Sequence, residues 1–434
     1  MKILLVGNGG RENALAWKIF NSASFKKDDS RLYCTAGNPG ICEFAEPVNI
    51  DPSDIENLLS FVKKECIEFT VVGPELPLSA GIVNAFENNG HKIFGPKMEA
   101  ALIESSKVFS KKLMEENNIP TASYRSFSEI NLREAKLFAG QSKYPLVIKA
   151  DGLAAGKGVI IAKDEKEAFD ALDEIILNHI FGKAGDNLII EEYLDGEEIS
   201  VFVITDGTDF KILPFSQDHK KILDGEKGKN TGGMGAVAPV MKYMNSETEN
   251  KIRSRIIEPT LKALRDSGNE FKGCLYCGLM IVKGEPFVIE YNCRFGDPET
   301  QAVLPLIESD FLKLLLASAE NKIGEYELKL NNKFACCVVL ASLGYPDKFE
   351  TGKEITGFEN SDNISDSIVF HSGTKFSEDN KVVTTGGRVL SVVGLSDISL
   401  LEAVNNTYDK VSGIRFGNMY YRKDIGAGQL IVDS

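Results

Sequence analysis

Short apolar runs and amphipathic stretches alternate through the first hundred residues. The runs predict buried strands, and the stretches between them, such as 52–66, predict helices. This alternation predicts a parallel sheet with helices on both faces, where ligands bind beyond the carboxyl ends of the strands. The turns at 7–12 and 73–75 follow such ends, so we expect a substrate pocket there. The apolar runs are 2–6, 32–37, 69–73 and 92–95.

The turn at 7–12 is rich in glycine and leads from a strand into a helix. It contains Gly9, Gly10, Arg11 and Glu12. A dinucleotide-binding turn would need glycine at position 12, so Glu12 argues against NAD. Free N–H groups at a helix N-terminus still suit a phosphate group, and Arg11 adds positive charge. The alternative is a tight turn without a ligand.

The pattern changes after residue 98. A strand at 144–149 leads into a glycine-rich loop and a second apolar run, which predicts a β-hairpin and not a Walker A loop. Gly152, Gly156 and Gly158 allow close approach of the backbone, and Lys149 and Lys157 supply charge. We therefore expect a flexible cover over the phosphates of a nucleotide.

An acidic stretch follows the apolar run at 187–190. The segment 191–194 can serve as an adenine hinge, in which main-chain groups bind the edge of the base. Glu198 is then placed to accept hydrogen bonds from a ribose diol. An acidic surface turn stays open as the alternative.

Two loop-like segments, 216–220 and 230–235, carry Asp218, Asn230, Gly232 and Gly233. Exposed N–H groups of the glycines suit an anion or a carboxylate, and a mobile loop is the alternative. None of the four histidines has a partner at a recognisable spacing, so we assign no general-base histidine.

The strand at 287–295 has the most informative chemistry. Alternation places Glu290, Asn292 and Arg294 on one face. Oxygen ligands two residues apart suit Mg²⁺, and an adjacent arginine suits a phosphate. The turn that follows adds Asp297 and Glu299, and the alternative is an edge strand with a solvated polar face. The apolar face would carry Phe287, Ile289, Tyr291, Cys293 and Phe295.

Composition and charge exclude several classes of protein. The chain has 434 residues, 43% hydrophobic and 26% charged, which is typical of a globular protein with about two to four domains. A formal charge of −14 argues against a nucleic-acid or membrane-surface binder, and no apolar run is long enough for a membrane span. Eight cysteines scattered through apolar surroundings favour reduced thiols and a cytoplasmic location.

Several of these segments, in this order along the chain, resemble the phosphoribosylamine–glycine ligase family of the ATP-grasp superfamily. The most specific is Asn292-Cys-Arg-Phe-Gly-Asp-Pro-Glu-Thr-Gln. Two positions depart from the family pattern: Asn13 stands where histidine is usual, and Lys229 where proline is usual. The other matching segments are 149–159, 191–198, 216–220, 230–236, 370–375, 386–390 and 421–426.

The resemblance implies a chain of mixed α/β and α+β class with three domains. These are an N-terminal parallel α/β (pre-ATP-grasp) domain over 1–102, an ATP-grasp domain over 103–324 and a small mixed C-terminal domain over 325–434. A mobile glycine-loop lid would span about 122–194. The implied reaction converts ATP, glycine and 5-phosphoribosylamine to glycinamide ribonucleotide, ADP and phosphate, through a glycyl phosphate. We expect a monomer that uses Mg²⁺, or Mn²⁺ in its place, and has no nucleic-acid or membrane partner.

The resemblance also implies roles for single residues. Arg294 and Lys149 would be catalytic, and Arg294 would stabilise charge during phosphoryl transfer. Glu290 and Asn292 would bind the metal. The nucleotide would contact Lys107, Lys149, Gly152, Gly156, Lys157, Gly158, Glu191, Tyr193, Leu194 and Glu198. The two substrates would contact Gly9, Gly10, Arg11, Glu12, Pro74, Glu75, Asp218, Asn230, Gly232, Gly233, Asp297, Pro298 and Glu299.

Other functions stay open on the sequence alone. Another ATP-grasp carboxylate–amine ligase would use the same nucleotide residues. A dinucleotide-dependent oxidoreductase is disfavoured by Glu12, and a nucleotide sensor without catalysis differs only in turnover.

Overall fold

The computed structural model describes residues 1–27, 29–153, 158–359 and 366–430, with the backbone alone at 129. The N-terminal elements are β1 (Lys2–Val6), α1 (Gly10–Phe20), α2 (Ala23–Lys27), β2 (Arg31–Thr35), β3 (Glu46–Val48), α3 (Ile55–Glu65), β4 (Phe69–Val72), α4 (Glu75–Ser79), α5 (Ile82–Asn88) and β5 (Ile93–Phe94). The five strands form a parallel sheet in the order β3-β2-β1-β4-β5, which confirms the prediction from alternation. Leu4 and Val6 contact one apolar cluster and Ile3 and Leu5 another, so both faces of β1 are buried.

The next elements form a helical pair and a small sheet. They are α6 (Met98–Ser105), α7 (Lys107–Glu116), β6 (Tyr124–Ser128), α8 (Leu132–Gln141), β7 (Leu146–Ala150), β8 (Val159–Ala162), α9 (Glu165–Ile176) and β9 (Asn187–Glu192). Ser106 separates α6 from α7, because its hydroxyl accepts from the Phe109 N–H and caps α7. The sheet order is β6-β9-β7-β8, and β7 and β8 form the predicted antiparallel hairpin.

A longer antiparallel sheet follows, with the order β11-β10-β16-β17. It faces the small sheet, since Lys149 Nζ of β7 donates to the Ile289 carbonyl of the last strand at 2.9 Å. The elements of this part are β10 (Glu197–Thr205), β11 (Phe210–Ile212), β12 (Gln217–Asp218), β13 (Lys221–Leu223), β14 (Lys227–Asn230), β15 (Gly235–Ala238), α10 (Ser246–Ile252), α11 (Glu258–Asp266), β16 (Gly273–Val282), β17 (Glu285–Asn292), α12 (Glu299–Val303) and α13 (Phe311–Ala319).

Strand β17 departs from simple alternation. Consecutive residues of β16 pair with Val288 and Glu290, so Ile289 between them is an extra residue in a β-bulge. The bulge leaves Phe287 and Ile289 half-buried, so the prediction that both lie on the apolar face is wrong. Beyond the bulge, Tyr291 is buried as predicted.

The C-terminal part is a six-stranded sheet with one long helix. Its elements are β18 (Phe334–Ser342), β19 (Ser367–His371), β20 (Thr374–Phe376), β21 (Val382–Thr384), β22 (Arg388–Ser396), α14 (Leu400–Gly413), β23 (Met419–Tyr420) and α15 (Ala427–Leu430). The sheet runs β12-β15-β18-β22-β19, with β23 also paired to β18. Strands β12 and β15 come from the middle of the chain, so this sheet is continuous with the segment that carries Asp218.

The cysteines agree with reduced, structural thiols. All eight are free, and six of them are buried. Cys336 and Cys337 contact different apolar clusters, as expected for neighbours on opposite faces of a strand. A separate observation is that none of the helices in the described ranges combines the length and the apolar character needed to span a membrane.

Candidate active site

A cavity of about 1040 Å³ lies where the N-terminal turns, the small sheet, β17 and the C-terminal segment meet. Most of the expected site residues line it: Arg11, Glu75, Lys107, Lys149, Gly158, Glu191, Tyr193, Leu194, Glu198, Asp218, Asn230, Gly232, Glu290, Asn292, Arg294, Asp297 and Glu299. The described residues expected at the site that do not line the cavity are Gly9, Gly10, Glu12, Pro74, Gly152, Gly233 and Pro298. Gly156 and Lys157 lie outside the described residues.

The N-terminal turn is closed by its own glutamate. Glu12 Oε2 accepts from the Gly9 N–H at 2.7 Å, and Oε1 accepts from Arg11 Nε at 2.6 Å. A Cβ on Gly73 would lie 2.1 Å from Glu12 Oε1, so only glycine fits there. The expectation of a free N–H at Gly9 is therefore wrong, because the Glu12 carboxylate takes the place of an external anion.

Arg294 joins the N-terminal part to β17. Its Nε lies 3.3 Å from Glu75 Oε2 and its Nη2 lies 3.0 Å from Glu104 Oε1. Burial alone would raise the pKa of Glu75, but Arg294 and then Arg11 bring it below the ordinary value. Glu104 also orients Asn292: when the amide nitrogen of Asn292 faces it, that nitrogen donates to Glu104 Oε1 and to the Tyr291 carbonyl, both at 3.1 Å. The amide oxygen then remains available as a ligand.

Glu290 is an ionised carboxylate in a cationic setting. Lys220 is the largest cause, followed in the same direction by Lys149 and Lys107, and together they lower the pKa of Glu290 to about 2 against the effect of burial. Lys220 Nζ lies 3.3 Å from Glu290 Oε1 and also donates to Glu198 Oε1. One ammonium group therefore contacts both the expected metal ligand and the expected ribose ligand.

The carboxylate of Glu191 lies between two lysines. Lys149 Nζ is 2.8 Å from Glu191 Oε2 and Lys111 Nζ is 3.1 Å from Glu191 Oε1. The main chain of Glu191 pairs with β6 on one side and β7 on the other. The prediction that Glu191 binds adenine through its main chain is therefore wrong, because the strand ladders already use these groups. Tyr193 and Leu194 lie after the end of β9, so for these two residues main-chain binding of adenine stays a prediction.

Lys107 and Gly152 meet at the start of the glycine loop. Lys107 Nζ donates to the Gly152 carbonyl at 3.1 Å, and burial lowers the pKa of Lys107. The Gly152 N–H donates to the Ala184 carbonyl at 3.1 Å, and a Cβ at Gly152 would lie 2.8 Å from the Ala184 Cβ. The absence of a side chain at Gly152 therefore allows its backbone to pack closely against Ala184.

The opposite end of the cavity is acidic. Asp218 Oδ1 is buried and, among the described residues, has no hydrogen-bond partner. Burial, and next to it the charge of Glu299, raises the pKa of Asp218 well above its ordinary value. Arg388 Nη1 lies 3.4 Å from Asp297 Oδ1 and donates to the Asp297 carbonyl at 2.7 Å. An ammonium group of a substrate fits beside Asp218 and Glu299.

The glycines at 232 and 233 do not offer free N–H groups. The Gly232 N–H donates to Tyr345 Oη at 2.9 Å, and the Gly233 N–H donates to Thr231 Oγ1 at 3.0 Å. Gly233 has a φ of +104°, and a Cβ there would lie 2.3 Å from Pro298 Cδ. The anion-binding prediction for these groups is therefore wrong, and the glycines instead allow the loop to pack against Pro298.

Among the charged residues of the cavity that the sequence analysis did not assign, four form ion pairs with residues that it did assign: Lys111, Lys220, Glu104 and Arg388. Each is half-buried or buried and acts on a residue that the sequence did identify. Lys220 had a detectable signal, since it ends the 216–220 segment. The others stand in ordinary helical or strand surroundings, where a charged residue is usually solvent-exposed.

Comparison with known proteins gives one consistent result. Models of three phosphoribosylglycinamide synthetase domains match the chain: the N domain over 1–104, the ATP-grasp (A) domain over 105–300 and the C domain over 335–428. A phosphoribosylamine–glycine ligase of Caldanaerobacter subterraneus is 45% identical over 99% of this chain and 100% of its own. That of Chlorobaculum tepidum is 45% identical, over 99% of this chain and 100% of its own.

Solved structures agree with the sequence matches. The crystal structure of a phosphoribosylamine–glycine ligase from Thermotoga maritima has a TM-score of 0.84 at 32% identity, over 98% of this chain and 100% of that chain. The biotin carboxylase domain of a Hydrogenobacter thermophilus 2-oxoglutarate carboxylase has a TM-score of 0.73 at 16% identity, over 96% and 91%, and shows the shared fold alone. The chain therefore belongs to the phosphoribosylglycinamide synthetase family of ATP-grasp ligases, known also as phosphoribosylamine–glycine ligases.

Proposed function

We propose that the chain joins glycine to 5-phosphoribosylamine with ATP hydrolysed to ADP and phosphate, in purine synthesis. Family membership over nearly the whole chain supports this activity. The observation that carries it in the structure is the cavity itself. It brings Lys107 of α7, Lys149 of β7, the acid–amide pair of β17 and Arg11 of the N-terminal turn into one space, as a reaction between a nucleotide, an acid and a phosphorylated amine requires.

We assign the nucleotide to the part of the cavity formed by two lysines, the segment after β9 and the Glu198 carboxylate. Lys107 and Lys149 bind phosphate oxygens; the cover expected at Gly156 and Lys157 lies outside the described residues and stays a prediction. Tyr193 and Leu194 bind adenine and Glu198 accepts from the ribose. The support is that Lys107, Lys149, Tyr193, Leu194 and Glu198 all line the same cavity. Glu191 contributes indirectly, because its carboxylate positions the Lys149 ammonium.

A divalent metal, with Mg²⁺ as the expected ion, fits the donors present. Glu290 is ionised, and Asn292 has its amide oxygen free once its nitrogen faces Glu104. The described residues contain no cluster of three or more His, Cys, Asp or Glu side chains suited to a metal. Two protein oxygens agree with Mg²⁺, which takes its remaining ligands from water and phosphates. When bound, the metal neutralises charge on the phosphates.

The chemistry proceeds in two steps. A carboxylate oxygen of glycine attacks the γ-phosphorus, the bond to the β-phosphate oxygen breaks, and ADP leaves. Arg294 stabilises charge on the transferred group, while its contacts with Glu75 and Glu104 fix the guanidinium. The ribosylamine nitrogen then attacks the glycyl carbon, phosphate leaves, and the nitrogen loses a proton. Asp218 and Glu299 bind the glycine ammonium, and Arg11, which lines the same cavity, binds the ribose phosphate.

An assay with each substrate omitted in turn tests this proposal. With Mg²⁺, ATP, glycine and freshly made phosphoribosylamine, we expect ADP and glycinamide ribonucleotide in equal amounts. Another carboxylate–amine ligase would need a different acid or amine for ADP release. A nucleotide sensor would bind ATP without turnover. The oxidoreductase alternative is disfavoured further, since Glu12 fills the space against Gly7 and Gly73 that a pyrophosphate would enter.

The domain limits 1–102, 103–324 and 325–434, the monomeric state and the cytoplasmic location stay predictions. Limited proteolysis tests the limits, and light scattering tests the monomer. The free state of all eight cysteines supports a reducing compartment.

A further inference from the structure

Lys220 occupies an unusual place between two carboxylates. It donates to Glu198 Oε1, and its Nζ lies 3.3 Å from Glu290 Oε1. The proposed function assigns these carboxylates to different parts of the nucleotide: Glu198 to the ribose and Glu290 to the metal on the phosphates. The Lys220 ammonium therefore contacts two carboxylates that the bound nucleotide would use for different groups, its ribose and its metal-bound phosphates.

The ammonium of Lys220 can leave without moving the backbone. The Lys220 carbonyl accepts from the Thr231 N–H at 2.8 Å and from Thr231 Oγ1 at 2.9 Å, so the main chain is fixed. The side chain is 29% exposed and ends in a flexible four-carbon stem. Burial favours the neutral form of Lys220, but Glu198 and then Glu290 raise its pKa well above the ordinary value, so the side chain is a cation.

Nucleosides and nucleotides differ in whether they offer the Lys220 ammonium a new hydrogen-bond acceptor when it leaves Glu198. A ribose diol needs the oxygens of Glu198, one of which already accepts from Lys220. A nucleoside therefore competes with the ammonium and offers it no new partner. A nucleotide competes in the same way, but its phosphate oxygens can accept from the released ammonium.

We propose that Lys220 determines the preference of the site for phosphorylated nucleotides over nucleosides. It pairs with Glu198 and Glu290 in the empty enzyme and passes to phosphate oxygens when a nucleotide enters. The inference rests on the proposed function, because it uses the assignment of Glu198 to the ribose.

Calorimetric titration with adenosine and with ADP, both with the metal removed by EDTA, tests this role without turnover. The variants are Lys220→Met, which keeps the stem and removes the charge, and Lys220→Arg, which keeps the charge. Lys107→Met is the matched control. Lys107 lines the same cavity, but its ammonium donates to the carbonyls of Asp151 and Gly152 and makes no ion pair with Glu198 or Glu290 among the described residues.

The proposal predicts effects of opposite sign. In Lys220→Met, adenosine should bind about fivefold more tightly, since a half-exposed ion pair no longer competes. ADP should bind about tenfold more weakly, since one charged hydrogen bond is lost. Lys107→Met should weaken ADP and leave adenosine unchanged. Lys220→Arg should retain most of the wild-type preference for ADP.

Two results would overturn the inference while leaving the proposed function intact. In one, wild type binds both ligands and Lys220→Met weakens both, as a purely structural lysine would. In the other, Lys220→Met weakens ADP alone, as any nearby positive charge would. Failure of wild type to bind either ligand would instead contradict the proposed function. If Lys220→Met does not fold, Lys220→Gln replaces it with the same expected signs.

Discussion

The buried trio Lys111, Glu191 and Lys149 allows a sharp prediction about stability. The side chains of Lys111 and Glu191 are each 2% exposed and that of Lys149 is 9% exposed, so water hardly screens their charges. Glu191→Gln keeps the shape and removes the negative charge. Loss of one partner from a buried ion pair costs about 3–5 kcal/mol. We expect the lower end, about 3 kcal/mol, because Lys111 can lose its proton and still has Thr121 and Ala122 as partners.

The protonation of Lys111 gives this prediction a pH dependence. Burial lowers the pKa of Lys111 from 10.5 to about 8 even though Glu191 favours the charged form. Protonation of a group whose pKa is lower in the folded chain destabilises the fold, and the cost grows as the pH falls from 10.5 to about 8. Without Glu191 the pKa is lower still, so in the variant the cost continues to grow below pH 8. The difference in stability should therefore widen from about pH 9 to about pH 6.

Thermal unfolding followed by circular dichroism measures both effects. At neutral pH, a loss of about 3 kcal/mol corresponds to a fall in Tm of about 6–12 °C for a domain of about 150–250 residues, such as the predicted ATP-grasp domain. Glu192→Gln is the matched control, since Glu192 is the next residue of β9, is exposed and accepts only from the Ser123 N–H in the described structure. Equal Tm values for Glu191→Gln and wild type, or a Tm difference that stays constant with pH, would refute the reasoning.

Three further predictions concern single residues. Glu290→Gln should raise the Mg²⁺ concentration for half-maximal rate at least about tenfold and lower turnover; it should also lower Tm at neutral pH, because the lysines that lower the pKa of Glu290 to about 2 lose their anionic partner; full activity would remove Glu290 from the metal site. Arg294→Lys should lower kcat by about 10²–10³-fold, because lysine lacks the planar guanidinium whose Nε and Nη2 contact Glu75 and Glu104 separately and fix its orientation; an effect on KM alone would contradict this. Hydrogen bonds from Arg422 lower the pKa of Asp424 to about 2 against its burial, so its stabilising effect is present above about pH 4 and is lost as the pH falls to about 2. Asp424→Asn should therefore lower Tm at neutral pH and match wild type near pH 2.

The parallel N-terminal sheet and the β7–β8 hairpin could be predicted because their signals are local. Apolar runs and glycine turns mark their strands directly. The bulge at Ile289 could not be predicted, since it depends on how β17 pairs with β16, and the pattern of β17 alone continues without a break. The helix break at Ser106 had a local signal, a serine before a lysine-rich turn, but the apolar pattern runs through it.

Site residues were identified where several chemical groups cluster in sequence, as at Glu290, Asn292 and Arg294. What those groups contact depends on the fold. Glu191 looked like part of an adenine hinge, but Lys111 comes from a helix about eighty residues earlier and takes its carboxylate. Gly232 and Gly233 looked like an anion site, but Tyr345 accepts one N–H group from a distant strand end and Thr231 accepts the other. Lys111 and Tyr345 are brought there by tertiary contacts that no local pattern contains, whereas Thr231 lies two residues from Gly233 and is a local turn partner.

The central claim is that the glycine carboxylate is activated by direct phosphoryl transfer. Glycine labelled with ¹⁸O in both carboxylate oxygens, incubated with ATP, Mg²⁺ and phosphoribosylamine, tests it most directly. The account predicts that each phosphate released carries one ¹⁸O atom and that glycinamide ribonucleotide retains the other, as mass spectrometry would show. Unlabelled phosphate formed together with product would contradict it.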